Sequence, residues 1–241
     1  MSLEGKRVLV TGGARRVGRA LALAAARAGA ELVLHYGRSS EAAESTRAEI
    51  VALGRTALLL QADLSDPEQA AGLVGRAARS GPLYALVNSA AVFEALTWET
   101  ATAADWERHL RINLTAPFLL SQAFARALPP EASGRVVNLL DFRAQRPGPD
   151  HLPYTISKAA LAGLTRSLAV ALAPRIAVNG LALGAVLPPS DGGDPAAILG
   201  RVPSGRWVGL EEVGQALLFL LDGPASVSGA ILPVDGGRSL V

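Results

Sequence analysis

The sequence predicts an α/β fold in which helices cover both faces of a parallel sheet. Short apolar runs alternate with longer segments of helical period along all 241 residues. The runs VLV, LVL and VVNLL are apolar without interruption, as strands are when both of their faces are buried. Regular alternation of such strands with helices is typical of a doubly wound sheet.

Seven strands and six helices are predicted in turn. The strands lie at 7–11, 31–36, 56–61, 84–88, 135–140, 176–181 and 230–234, and the helices at 17–28, 40–53, 67–79, 103–127, 153–173 and 210–221. Two helix starts carry clear signals. Asp66 precedes Pro67 as an N-cap residue, and Thr102 with Asp105 forms a capping-box pattern.

The chain contains no internal repeat and no segment that would divide it, so we predict a single domain over 1–241. The Pro/Gly-rich stretch 187–205 is its longest irregular segment. It could be a linker, but it precedes the last helix and strand of the same sheet. A lid over a binding site is the favoured interpretation.

Composition excludes several classes of function. The formal net charge is only +2 and the basic residues are dispersed, which argues against nucleic-acid binding. Without cysteine there is no disulfide, thiolate metal site or cysteine nucleophile, and the three separated histidines predict no metal site. No apolar run approaches the roughly 18 residues that cross a bilayer, and no secretory signal is visible. We therefore expect a cytoplasmic protein without membrane contact.

A glycine-containing turn joins the first strand to the first helix. It reads Thr11-Gly-Gly-Ala-Arg-Arg-Val-Gly18. Gly12 allows a tight turn, and Gly18 allows the helix to pack close to the strand. The N-terminus of this helix then presents free N–H groups and a positive dipole end to a pyrophosphate. The context predicts a dinucleotide site, although an ordinary strand–helix turn is the alternative.

The end of the second strand indicates which dinucleotide binds. An NAD enzyme usually carries a carboxylate there for the ribose 2′-hydroxyl. Here no carboxylate occurs until Glu41, whereas Arg15, Arg38 and Ser39 can hold a 2′-phosphate. The sequence therefore predicts NADPH. For His35 in this segment, a packed strand residue is the favoured interpretation over a cofactor ligand.

Tyr154 and Lys158 lie four residues apart at the start of a predicted helix, so both side chains lie on one face. A nearby ammonium is expected to lower the pKa of the tyrosine, which makes it a usable general acid. Lys158 is one of only two lysines in the chain. A partly buried tyrosine beside a solvated lysine is the alternative.

Several motifs together resemble the short-chain dehydrogenase/reductase family over essentially the whole chain. These are Thr11-Gly12…Gly18, Asp63, Asn88-Ser-Ala, Asn113, Tyr154…Lys158 and Asp235-Gly-Gly. The resemblance implies a seven-stranded Rossmann sheet, hydride transfer from a nicotinamide, and a homotetramer built by the helices at 103–127 and 153–173. It also implies that Asn113 bends a helix and holds a relay water, and that Lys158 binds the nicotinamide ribose.

Two positions depart from the family pattern on the cofactor side. The chain has Asn88-Ser89 where two asparagines are usual, and Leu183-Gly184 where Pro-Gly is usual. The residues predicted to bind the cofactor are Gly12, Arg15, Arg16, Val17, Gly18, His35, Tyr36, Arg38, Ser39, Asp63, Leu64, Asn88, Ala90, Tyr154, Lys158 and Gly184.

The most informative departure lies thirteen residues before the tyrosine. Most family members have there a serine that donates to a substrate carbonyl, but this chain has Asp141. An ionised carboxylate cannot donate, and it would repel a developing alkoxide. At an effective dielectric constant near 20, like charges about 4 Å apart cost on the order of 4 kcal/mol. A substrate that presents N–H groups or ring nitrogens suits Asp141 better.

Four features together resemble pteridine reductases and the related dihydromonapterin and dihydrofolate reductases. They are Arg15-Arg16 in the turn, His35-Tyr-Gly-Arg-Ser39, Asp141 with Tyr154, and Phe93 after the fourth strand. The resemblance implies that Phe93 stacks on a pterin and that Arg16 bonds it; a core phenylalanine is the alternative for Phe93. The predicted substrate-binding residues are thus Arg16, Phe93, Asp141 and Tyr154, and the catalytic residues are Asp141, Tyr154, Lys158 and Asn113.

These observations predict NADPH-dependent reduction of a C=N bond in a dihydropterin or dihydrofolate, with Tyr154 as the proton donor. A 3-oxoacyl-thioester or general carbonyl reductase of the same fold is the first alternative, with a protonated Asp141 as hydrogen-bond donor. A non-catalytic NADPH-binding protein is the second. The Tyr154–Lys158 pair argues against the last of these.

Overall fold

One seven-stranded parallel sheet organises the molecule. The protein is described by a computed structural model that covers residues 3–188 and 194–241. The strand order is β3-β2-β1-β4-β5-β6-β7, and every neighbouring pair is parallel. The strands are β1 (Arg7–Val10), β2 (Glu31–Tyr36), β3 (Ala57–Gln61), β4 (Ala85–Asn88), β5 (Gly134–Asp141), β6 (Ile176–Leu183) and β7 (Ile231–Val234). The predicted Rossmann-type doubly wound sheet is confirmed.

Helices cover both faces of this sheet. They are α1 (Arg16–Arg27), α2 (Ser40–Ala52), α3 (Pro67–Ala78), α4 (Ala103–Leu110), α5 (Ala116–Ala127), α6 (Leu152–Ala171), α7 (Pro195–Leu199) and α8 (Leu210–Asp222). Apolar side chains of α1 and α8 pack on one face of the strands. Those of α3 and α5, with Ala169 of α6, pack on the other. Each face therefore has its own apolar layer, as continuous apolar strands require.

The predicted helix boundaries are confirmed with one correction. Asp66 caps α3 by accepting from the backbone N–H groups of Glu68 and Gln69, and Thr102 with Asp105 forms the capping box of α4. The single helix predicted over 103–127 is wrong, because a π-helical turn (Arg111–Thr115) separates α4 from α5. Such a turn carries one extra residue, and it lies where Asn113 leaves the helical period.

The predicted lid, 187–205, falls partly outside the described residues, at 189–193. The described part contains the short helix α7, which the sequence did not predict; Asp194 caps it by accepting from the N–H of Ala196. The lid and the single-domain organisation stay predictions. Among the described residues, no helix combines the length and the hydropathy needed to cross a bilayer.

The chain reverses its direction of winding at β1, which pairs with β2 on one side and with β4 on the other. In open parallel sheets the crevice for a ligand lies at the carboxyl ends of the strands at such a reversal. The turns after β1, β4, β5 and β6 all reach this edge. The topology therefore places the predicted motifs together.

Candidate active site

A cavity of about 1030 Å³ lies at this edge of the sheet. Fifteen of the predicted site residues line it: Gly12, Arg15, Arg16, Val17, Gly18, His35, Arg38, Asp63, Leu64, Ala90, Phe93, Asp141, Tyr154, Lys158 and Gly184. Four predicted site residues do not line it: Tyr36, Ser39, Asn88 and Asn113. The sequence motifs thus converge on one space, and the four exceptions lie behind or beside its wall.

The turn after β1 is built by close backbone approach. Gly12 has a φ of +64°, a conformation that favours glycine. A methyl group on Gly18 would overlap the carbonyl oxygen of Gly12 and come within 2.8 Å of its carbonyl carbon. Arg15 occupies the N-cap of α1 without a side-chain cap bond, so the first N–H groups of α1 stay available to an anion.

Arg16 stands where the family pattern has its middle glycine. Its φ is +50°, in the left-handed region that non-glycine residues rarely adopt. Strain of this kind costs of order 1–3 kcal/mol and persists where the surroundings impose it. Arg16 also lines the cavity.

His35 ties the turn to the neighbouring strands. The Gly12 N–H donates to Nδ1 of His35 over 3.2 Å, so the ring proton must be on Nε2, which lies 3.1 Å from the carbonyl oxygen of Ala62. Burial lowers the pKa of His35 and keeps the ring neutral. His35 is thus a packed strand residue that also lines the cavity, and its role in cofactor binding stays a prediction.

Cations and hydroxyls surround the mouth of the cavity beside β2. Arg38 lines it, and Nη1 of Arg15 donates to Oγ of Ser39 over 3.3 Å. Asp63, after β3, accepts from the N–H and the hydroxyl of Ser65, and these bonds lower the pKa of its carboxyl. The free N–H groups of α1 and the two guanidinium groups fit a dinucleotide that carries an extra phosphate.

Asn88 lies beneath the cavity rather than in it. Its Nδ2 donates to Oδ1 of Asn138 over 2.8 Å, and Nδ2 of Asn138 donates to Oγ1 of Thr165 over 2.9 Å. This buried chain of amides connects β4, β5 and α6. Asn88 therefore supports the floor of the site.

Asn113 holds the loop that carries Phe93. Its Oδ1 accepts from the N–H of Val92 over 2.9 Å. Its Nδ2 lies 3.0 Å from both the carbonyl oxygen of Val92 and Oγ of Ser157 in α6. The π-helical turn places Asn113 between the loop and α6, so its side chain fixes the distance between Phe93 and the first turn of α6.

The side chains predicted to be catalytic meet where β5 ends and α6 begins. The Tyr154 hydroxyl donates to Oδ2 of Asp141 over 3.0 Å, and the backbone N–H of Arg143 donates to Oδ1 over 2.9 Å. Nζ of Lys158 donates to the carbonyl oxygen of Leu139 over 2.6 Å and lies 5.6 Å from the centre of the Tyr154 ring. Asp141, which stands thirteen residues before the tyrosine at the family's serine position, thus contacts the phenol of Tyr154.

Electrostatics at this contact correct one expectation. Burial raises the pKa of Tyr154 well above its ordinary value, and the negative charge of Asp141 raises it further. The expectation that Lys158 would lower the pKa of this tyrosine is therefore wrong for the protein alone. Burial also raises the pKa of Asp141 and lowers the pKa of Lys158 to about 8. The site disfavours charge, so Tyr154 stays protonated and Asp141 holds a proton more tightly than usual.

Phe93 forms an aromatic wall next to the phenol. Its side chain is 52% exposed, it stacks on His151 with ring centres 4.1 Å apart, and it meets Tyr154 edge-on at 4.7 Å. The sequence left Phe93 as either a pterin-stacking residue or a core phenylalanine, and its exposure argues against the core role.

Three residues of this region escaped the sequence analysis: Arg143, His151 and Arg238. Arg143 and Arg238 line the cavity, and His151 supports Phe93. His151 begins α6 three residues before Tyr154, in a left-handed conformation with φ +53°. Its place one helical turn before the tyrosine was the signal available in the sequence.

Comparison with known proteins identifies the relatives of this chain. The model of the short chain dehydrogenase family matches residues 6–194. Gluconate 5-dehydrogenase of Gluconobacter oxydans is 34% identical, over 98% of this chain and 95% of that protein. The 3-oxoacyl-[acyl-carrier-protein] reductase of Synechocystis is 31% identical, over 98% of each. The crystal structure of FolM alternative dihydrofolate reductase 1 from Brucella canis, complexed with NADP, superposes with a TM-score of 0.91 at 36% identity, covering 100% of this chain and 97% of that one.

Proposed function

The chain belongs to the short chain dehydrogenase family and is an NAD(P)-dependent oxidoreductase, and we propose that it uses NADPH to reduce a C=N bond of a dihydropterin or dihydrofolate. One observation carries the proposal. The carboxylate of Asp141 accepts a hydrogen bond from the Tyr154 hydroxyl, at the point where a reacting atom would meet the phenol.

The contact favours nitrogen chemistry over ketone chemistry. An alkoxide that formed beside Asp141 would face a second negative charge in a buried site, where such repulsion is costly. A ring N–H can instead donate to the carboxylate, and a ring nitrogen can take a proton from the phenol. The likeness to an NADP-bound alternative dihydrofolate reductase supports the same substrate class.

The cofactor end supports NADPH over NADH. Arg15, Arg38 and Ser39 would hold the 2′-phosphate, and the N-terminus of α1 would hold the pyrophosphate. Lys158 would bind the nicotinamide ribose. When bound, NADPH supplies the hydride that reduces the carbon of the C=N bond.

The protein's own residues supply the proton. The nitrogen of the C=N bond takes a proton from Oη of Tyr154, which leaves a phenolate 3.0 Å from Asp141. Two anions at that distance are unfavourable in a buried site. Asp141, whose pKa burial raises, then takes up a proton from solvent and passes it to the phenolate along the same hydrogen bond, which restores the protonated phenol and the ionised carboxylate. Asp141 and Tyr154 thus act as a pair that holds and transfers a proton. The positive charge of Lys158 stabilises the negative charge of this pair.

Two further residues, Phe93 and Arg16, would bind the pteridine ring. His151 stacks on one face of Phe93 and Tyr154 meets the ring edge-on, and the exposed part of the Phe93 side chain borders the cavity, where a flat heterocycle would pack against it. Arg16 would anchor the polar edge of the pterin beside the phosphate turn.

The test is oxidation of NADPH measured in parallel with dihydrobiopterin, dihydromonapterin, dihydrofolate and an acetoacetyl thioester. We expect turnover of the pteridines and a loss of about 10²–10⁴-fold in kcat for Asp141→Ser, the magnitude of a lost proton-transfer group. Asp66→Ser is the matched control, because serine keeps the N-cap of α3 outside the cavity. Full pteridine turnover by Asp141→Ser would contradict the proposal.

A 3-oxoacyl-thioester reductase is the second candidate, favoured by the relative in Synechocystis and by the raised pKa of Asp141. A protonated Asp141 could donate to a carbonyl as serine does. Turnover of the acetoacetyl thioester with indifference to pteridines would select this candidate. Cofactor binding without turnover of any substrate would indicate a non-catalytic protein.

We also propose a homotetramer assembled through α4, α5 and α6. Large apolar side chains are exposed on these helices: Trp106, Phe118, Ile156 and Val170. Apolar patches of this kind mark interaction surfaces. Sedimentation velocity would distinguish a tetramer from a dimer or monomer.

A further inference from the structure

A basic cleft continues from the substrate end of the cavity. Its volume is about 730 Å³, and four of its lining residues are arginines: Arg143, Arg146, Arg201 and Arg238. Phe142, Arg143 and Arg238 line both the cleft and the cavity. The cavity and the cleft therefore adjoin at these three residues.

Positive charge in this cleft is largely uncompensated. Asp150 is the one acidic side chain among the described lining residues, and both of its oxygens accept from Arg143, over 2.5 and 3.0 Å. Within residues 3–188 and 194–241, Arg146, Arg201 and Arg238 have no carboxylate at salt-bridge distance. Burial and then repulsion from the other three arginines lower the pKa of Arg238. A bound anion would relieve this repulsion.

The guanidinium groups of Arg143 and Arg238, which lie where the cavity and the cleft adjoin, are held in place by other groups of the protein. Nη1 of Arg238 donates to the carbonyl oxygen of Arg201 over 2.6 Å. The guanidinium groups of Arg143 and Arg238 lie over the Phe142 ring, at 5.5 and 5.2 Å from its centre. Guanidinium forks match carboxylates in geometry and charge, and three of those in the cleft pair with no carboxylate among the described residues, so the cleft suits a ligand with several carboxylates.

We propose that this cleft binds the carboxylate-bearing tail of a folate-type substrate and thereby selects dihydrofolate over pterins whose side chain is uncharged. The inference rests on the proposed function, because the pteridine ring must lie at Asp141 and Tyr154. The p-aminobenzoyl group then passes Phe142, and the glutamate carboxylates meet Arg146, Arg201 and Arg238. A hydroxylated pterin side chain offers no charge to these groups.

The first experiment tests the cleft without turnover. p-Aminobenzoylglutamate is titrated calorimetrically into the NADP⁺-bound protein, with the wild type, Arg146→Gln/Arg201→Gln, and the charge-matched control Arg27→Gln/Arg79→Gln. Arg27 lies in the last turn of α1 and Arg79 is the C-cap of α3, both outside the cleft. We expect binding that weakens about tenfold or more in the cleft variant, as for lost hydrogen bonds to charged groups, and not in the control. No binding to the wild type, or equal weakening in both variants, would overturn the inference.

The second experiment compares substrates. In Arg146→Gln/Arg201→Gln, KM for dihydrofolate should rise about tenfold or more while KM for dihydrobiopterin and both kcat values stay near those of the wild type. Parallel changes for both substrates, or none, would overturn the inference. If neither pteridine is turned over, the proposed function fails, and the calorimetric titration still decides on the cleft. An acetoacetyl-coenzyme A KM that responds to these arginines would assign the cleft to phosphates and overturn the glutamate assignment.

Discussion

The two ends of the cavity are built on different physical principles. The phosphate end is the part of the cavity beside the turn from Thr11 to Gly18. Its backbone is fixed by the close approach of Gly12 and Gly18 and by hydrogen bonds of the neutral His35 ring. At the catalytic end, Asp141 and Lys158 are ionisable groups in a buried site, and both pKa values shift toward the uncharged forms. One end depends on shape and the other on charge.

This difference determines which changes each end tolerates. An added methyl group should disable the phosphate end, where there is no space for it, and pH should affect this end only in the acidic range in which an unfolded histidine takes up a proton and the buried His35 resists it. A substitution that preserves shape should disable the catalytic end once it removes a proton or a charge. The following predictions probe that contrast.

Tyr154→Phe should have the largest effect. The substitution keeps the ring against Phe93 and removes only the hydroxyl that donates to Asp141. We expect kcat to fall about 10²–10⁴-fold, the range for loss of a proton donor, with little change in the thermal midpoint. Steady-state NADPH oxidation and differential scanning fluorimetry check the two parts. Substantial residual turnover would show that the proton comes from another group.

Gly18→Ala should be the next largest, through shape alone. The new methyl group would overlap the Gly12 carbonyl, and such overpacking costs about 1–3 kcal/mol of unfolding free energy. Any relaxation of the turn should also weaken NADPH binding, which fluorescence titration measures. Gly75→Ala in α3 is the matched control, since nothing lies within 4 Å of the added carbon. That control should stabilise the protein by about 0.5–1 kcal/mol. Equal outcomes for both variants would refute the shape argument.

His35→Phe tests the neutral hydrogen bonds of the phosphate end. Phenylalanine keeps a ring but leaves the Gly12 N–H and the Ala62 carbonyl without their partner, at about 1–3 kcal/mol for each unsatisfied group. We expect both the unfolding free energy and the affinity for NADPH to fall.

His109→Phe serves as the control for His35→Phe. His109 is fully buried, has Nδ1 2.8 Å from the Asp105 carbonyl oxygen, and lies outside the cavity lining. It should lose stability while its NADPH dissociation constant stays unchanged. An unchanged dissociation constant for His35→Phe as well would remove His35 from the site.

The same contrast explains what the sequence could predict. The strands, most helices and the turn from Thr11 to Gly18 follow local patterns of apolar period, caps and glycine, so their positions were readable along the chain. The family resemblance also indicated the contact between Asp141 and Tyr154, because Asp141 stands where most members have a serine beside the tyrosine.

Features that depend on the folded environment could not be predicted from the sequence. The apolar pattern of 103–127 predicts one uninterrupted helix, and only the family resemblance, which implies a bend at Asn113, indicated a break where the π-helical turn Arg111–Thr115 lies. The raised pKa of Tyr154 depends on burial that only the packed site creates. The basic cleft joins the segment after β5 to Arg201 and Arg238, which are distant in the chain, and no sequence period connects them.

The smallest effect concerns stability at the catalytic end. Because burial raises the pKa of Asp141, the folded protein binds a proton more tightly than the unfolded chain at pH values above the ordinary aspartate pKa. The stability of the wild type should therefore fall as pH rises through that range, whereas Asp141→Asn has no carboxyl to ionise. Removing Asp141 also lowers the pKa of Lys158 further below about 8, and this widens the gap in the same direction. We expect Asp141→Asn to be inactive yet increasingly more stable than the wild type from about pH 4 to about pH 8, measured by urea unfolding. A gap that stays flat or narrows with pH would mean that the buried carboxylate does not destabilise the fold, and the contrast between the two ends would fail.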